Sequence, residues 1–234
     1  PSPAPSEREA REEKIRPALL ASILAAFGLS GFAAMSYQVA WTRVFELFIG
    51  SSTYAFSIIL LAYLAGISAG SLVAGRLIDR LKPGVFTFAL AEIVIAASSL
   101  AVIPLVGRSV PLMFVKTLAS YRGDFTAILA LEFLIIFAIL LVPTFMMGAL
   151  FPLVTRLITR NMGGLGRAVG KAYASNTLGT ILGSAATGLA LIPLLGTQRT
   201  LFLAAGLNLL AAGVLVTYIK DRKPVKAIFG YVFV

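Results

Sequence analysis

The chain has 234 residues, of which 59% are hydrophobic and 13% charged, with a mean hydropathy of +0.93. That is too little charge to cover the surface of a soluble domain, which excludes a soluble globular protein. The net charge of +10 comes without a basic face interleaved with aromatics, so no nucleic-acid partner is expected, and the expected surroundings are the lipid bilayer.

Histidine and cysteine are both absent. Disulfides, thiol chemistry, imidazole bases and the commonest transition-metal ligands are thereby excluded, and neither a metal nor another cofactor is expected. Residues 1–16 read as a disordered cytoplasmic tail with cancelling charges, and the apolar run behind them is too long for a cleavable signal peptide. Six apolar segments of span length follow, at about Pro17–Val39, Ser52–Gly75, Val85–Val106, Phe125–Phe151, Ala172–Leu195 and Leu201–Ile219. They make 17–219 a six-helix transmembrane bundle, all-α, with 220–234 a cytoplasmic tail or the start of a further element. Two connections are longer than turns. Trp41–Gly50 (WTRVFELFIG) is amphipathic, with Trp41 suited to the membrane interface, and Arg108–Asp124 carries Pro111, Phe114 and Tyr121. Both are expected to be short interfacial helices or loops on the periplasmic face.

Basic residues alternate between connections. Fifteen of the twenty fall in the N-terminal tail, the second-to-third and fourth-to-fifth connections and the C-terminal tail, and five fall in the other three connections. The positive-inside rule then places both termini in the cytoplasm.

Within the spans, two glycine patterns match. The second span has Gly66, Gly70, Ser71 and Gly75, and the fifth has Gly179, Gly183, Ser184 and Gly188, at identical spacing. Glycines four apart let helix backbones approach closely. One copy in each half, on spans of opposite direction, predicts two inverted three-helix repeats, as in half of a major-facilitator fold. Arg76, Asp79 and Arg80 then form a loop motif like the one between helices two and three of that fold; a topology-setting basic loop with one acid reads equally well. Glu92 and Glu132 lie inside spans, where an unpaired carboxylate costs on the order of 2.5–3.5 kcal/mol. Asn176, Asn208, Tyr63 and Tyr173 are the available partners. The pair reads either as a cation or proton site or as neutral acids hydrogen-bonded between helices. No phosphate-binding loop, dinucleotide fingerprint or nucleophile–base pair occurs.

Ser30–Arg43 (SGFAAMSYQVAWTR), Gly50–Phe56, Gly66–Arg80, Ala172–Gly183 (AYASNTLGTILG) and Pro193–Gly196 together resemble the membrane part of spermidine-synthase-like bacterial membrane proteins. The resemblance covers about Ile15–Asp221. It implies a half-facilitator bundle that precedes a cytosolic aminopropyltransferase domain. No catalytic residue of that domain falls in these 234 residues. The resemblance therefore implies a domain that anchors or feeds such an enzyme. A half-transporter for a small cation such as a polyamine, working as a homodimer or with a second half, is an alternative. So is a non-catalytic subunit among other membrane subunits.

Overall fold

The computed structural model describes residues 17–81, 84–121, 124–159 and 165–219. The expected tails, 1–16 and 220–234, lie outside the described residues. Every regular element described is helical: α1 (Pro17–Ile49), α2 (Thr53–Leu81), α3 (Val85–Arg108), α4 (Val110–Ser120), α5 (Phe125–Thr159), α6 (Leu165–Ala186), a π turn (Thr187–Leu191), α7 (Ile192–Leu195) and α8 (Thr197–Val216). Six of these stretches are long and apolar enough to cross a membrane, with α6, the π turn and α7 acting as one span from Gly166 to Leu195. The chain is a multi-pass membrane protein.

Several helices outrun the apolar segments that mark them. α1 continues through Trp41–Ile49, so this stretch is not a separate interfacial element. Nothing between Val39 and Ile49 breaks a helix, and the turn comes only at Gly50, whose φ of 84° suits a residue without Cβ. Trp41 does not face outward. It follows Tyr37 and precedes Phe45 at four-residue steps on the buried face, and its ring lies 6.0 Å from that of Phe45. α2 likewise runs to Leu81, just ahead of Lys82-Pro83 in the sequence. The Arg108–Asp124 connection does hold a short helix, α4, and Phe114 on it stacks on Phe48 of the α1 extension at 6.2 Å. Side chains start two of the spans: Ser52 Oγ accepts from the Ala55 N–H (3.1 Å), and Asp124 Oδ1 from the Ala127 N–H (2.9 Å).

Polarity is distributed as lipid requires. Leu61, Leu134, Leu178, Ile181 and Leu210 face outward, whereas Ser30, Ser36, Glu92, Ser99 and Asn208 are buried. Several span hydroxyls are satisfied by the preceding turn, as in Ser36 Oγ donating to Phe32 O (2.9 Å) and Thr144 Oγ1 to Leu140 O (2.7 Å).

Two helix pairs dominate the interior: α2 with α5, and α1 with α6. Next come α1 with α8, α3 with α8 and α3 with α5. Phe27 of α1 joins the centre, its ring edge-on to Phe88 of α3 at 6.4 Å and tilted against Phe151 of α5 at 6.2 Å.

Candidate functional site

Close helix contacts come first, because they fix the rotation of every span. Along α1 and α6 the partners advance together in steps of four. Ser175 Oγ donates to Leu24 O (2.6 Å), Gly179 lies on the Gly28 carbonyl, Gly183 on the Phe32 backbone, and Thr187 Oγ1 donates to Ser36 Oγ (2.8 Å). The constant offset makes the two helices parallel and in register. A side chain at Gly179 or Gly183 would overlap main-chain atoms of α1, so only glycine permits this approach.

The second seam has the same character. Gly66 lies on Thr144, Gly70 on the Phe145 carbonyl, and Gly148 of α5 on the Ile67 carbonyl of α2. Gly75 and Gly188 are different: nothing lies within 4 Å of where their Cβ would be. Each ten-residue pattern thus contributes two contact glycines, and the third member faces open space because it follows the second by five residues rather than four, which turns it off the seam. Gly28, Gly31 and Gly148 take part without having been singled out. The four-residue spacing of Thr144 and Gly148 is the signal that could have found one of them.

Arg76, Asp79 and Arg80 fall inside the last turns of α2 rather than in a loop, because the helix persists to Leu81. Arg76 and Arg80 are exposed.

The rotation set by these seams brings α1, α3 and α8 together around one carboxyl group. Glu92 is 0% exposed and Asn208 1%. Asn208 Nδ2 donates to Glu92 Oε2 at 2.5 Å. Ser30 of α1 lies beside the same carboxyl, and Tyr37 and Ser99 face each other nearby. Four buried polar atoms here lack a hydrogen-bond partner: Glu92 Oε1, Asn208 Oδ1, Tyr37 Oη and Ser99 Oγ. Such a concentration of unpaired polar atoms is uncommon in a protein interior.

The other expected members do not join. Asn176 lies against Gly31 in the α1–α6 seam, with its Oδ1 2.7 Å from where a Cβ on that glycine would be. Tyr63 is spent on α1 and α5, its hydroxyl donating to Ala34 O (2.6 Å) and lying 3.1 Å from Met147 Sδ. Tyr173 is exposed, edge-on to Phe151. Glu132 is buried on α5, whereas the polar groups on Glu92 come from α1 and α8. The two span carboxylates therefore do not make one site. Among the described residues, no group of three or more acidic side chains could hold a metal ion.

Comparison of the chain with protein-family models, with curated protein sequences and with solved structures returns no match.

Proposed function

We propose that the chain is the membrane domain of a spermidine-synthase-like protein, a half-facilitator bundle of two inverted three-helix repeats. It anchors or feeds a cytosolic aminopropyltransferase supplied outside these 234 residues. The observation that carries the architecture is the pattern of helix partners. Exchange the first three spans (α1, α2, α3) with the last three (α5, α6–α7, α8), in order. The α2–α5 pair then becomes the α6–α1 pair, and α1–α8 becomes α5–α3, while α3–α8 maps onto itself. Both exchanged seams are parallel and rest on two glycines of the repeated pattern. Three spans per repeat reverse the direction of the second copy, which is the inverted arrangement. The membrane-part resemblance of Ser30–Arg43 and Ala172–Gly183 supports the family, and the alternation of basic residues supports cytoplasmic termini.

Capture of the tagged gene product from its native membrane tests this reading. The expected result is that aminopropyl transfer from decarboxylated S-adenosylmethionine to putrescine co-purifies with the bundle. A homodimer devoid of transferase would favour a half-transporter for a small cation. Stable foreign membrane subunits would favour a structural role.

A further inference from the structure

The Glu92–Asn208 pair carries an inference independent of the aminopropyltransferase reading. An ionised carboxylate can only accept hydrogen bonds, and so can the oxygen of an amide. The amide Nδ2 already donates to Glu92 Oε2. Left over are Glu92 Oε1 and Asn208 Oδ1, two buried acceptors belonging to one bonded pair and both lacking a donor. Two acceptors cannot satisfy each other. One hydrogen between them satisfies both, because a carboxylic acid and a primary amide are complementary: each donates once and accepts once.

The Ser30 hydroxyl of α1 lies beside this carboxyl, yet Glu92 Oε1 is left without a partner. Tyr37 is the titratable group that faces Glu92 from α1. α8 carries one charged residue, Arg199, nine positions from Asn208 and therefore about 13 Å along the helix. Against α3 also lie α5, which carries Glu132 and Arg156, and α4, which carries Lys116. An unpaired carboxylate at this depth is costly.

We propose that Glu92 and Asn208 form a proton-binding site, in which Glu92 Oε1 takes up one proton and donates it to Asn208 Oδ1. Binding forms one O–H bond, the proton comes from water and returns to it, and no electrons are transferred. Release leaves two unpaired acceptors at the junction of α1, α3 and α8, so occupancy of the site is coupled to how these three spans meet.

The test uses the 234-residue chain in lipid vesicles. Infrared spectra with carbon-13-labelled glutamate at neutral pH should show a hydrogen-bonded carboxylic-acid carbonyl band that is lost in Glu92→Gln. Subtracting the two spectra cancels the contribution of Glu132. Asn208→Leu should keep the acid band but shift it to the position of an acid without an acceptor. Glu92→Gln reproduces the donor and acceptor of the acid without a titratable proton. Its melting temperature should therefore fall less with rising pH than that of wild type, because only the wild-type fold holds a proton that the unfolded chain releases as pH rises. If Glu92→Gln does not fold, the double variant Glu46→Gln/Glu132→Gln leaves Glu92 as the one glutamate in the described helices, and its acid band decides the matter. Carboxylate bands alone at neutral pH, or identical pH slopes for wild type and Glu92→Gln, would overturn the proposal.

Discussion

Gly179 of α6 rests on the carbonyl of Gly28 in α1, so closely that a single added methyl group would overlap that oxygen. The contact is one rung in a ladder of parallel contacts along two helices. Such seams stabilise a membrane bundle through van der Waals contact, since lipid provides little hydrophobic drive between helices.

Gly70→Leu and Gly183→Leu should each lower stability in detergent by roughly 1–3 kcal/mol, because main-chain atoms of the facing helix must move. Gly75→Ala, in open space on α2, should be neutral or slightly stabilising, since alanine favours the helix by up to about 1 kcal/mol. Ala138→Leu, on the outward face of α5, should be silent. Thermal unfolding of the four variants checks the contrast; equal midpoints would remove the close-contact account.

Tyr63→Phe deletes the hydroxyl that α2 presents to the Ala34 carbonyl. The expected cost is about 0.5–1.5 kcal/mol. The change belongs to the α1–α2 junction, so its effect should add to that of Gly183→Leu in the double variant. Strong non-additivity would place Tyr63 in the α1–α6 seam instead.

Much of the membrane architecture is legible in the sequence, and its limits have physical causes. Hydropathy marks where lipid begins, whereas a helix ends where the backbone must turn. Reading by hydropathy therefore stops the first span near Val39 and the second near Gly75, while the helices run on to Ile49 and to Leu81, the residue before Lys82-Pro83. Trp41 looks interfacial by residue type but is buried by its position on the helix face. Glu92 stands out in sequence because a carboxyl inside a span is rare. Its partner does not stand out. Asn176 and Asn208 are equivalent as donors, and only helix rotation turns one toward Glu92 and the other toward Gly31.

Orientation is open to a direct measurement, because the chain has no native cysteine. Cysteines placed at Ser52 and Thr197 should react with an impermeant reagent added outside. Those at Lys82 and Lys223 should not, following the fifteen-to-five partition of basic residues. The reverse labelling would invert the topology.

The purified 234-residue chain should yield no aminopropyl-transfer product with decarboxylated S-adenosylmethionine and putrescine. Transfer needs a nucleoside pocket, carboxylates for the diamine and a base near the attacking amine. Glu92 is closed off by α1 and α8, and Glu132 lies apart on α5. Turnover abolished by Glu92→Gln or Glu132→Gln would refute this.

The ladder between α1 and α6 stops at Thr187, where the π turn begins and the Ile192 N–H reaches back five residues to the Thr187 carbonyl. One extra residue in a helix advances the angular phase of everything after it by about 100°. Residues beyond Leu191 therefore point in directions that regular winding from Gly183 would not give them. Gly196, with a φ of 81°, then starts α8 from that new heading. The aim of Asn208 toward Glu92 is thus set partly by a surplus residue some twenty positions upstream. Deleting the outward-facing Leu189 would rewind the helix and rotate α8's approach, turning the amide away from its carboxyl without altering either residue.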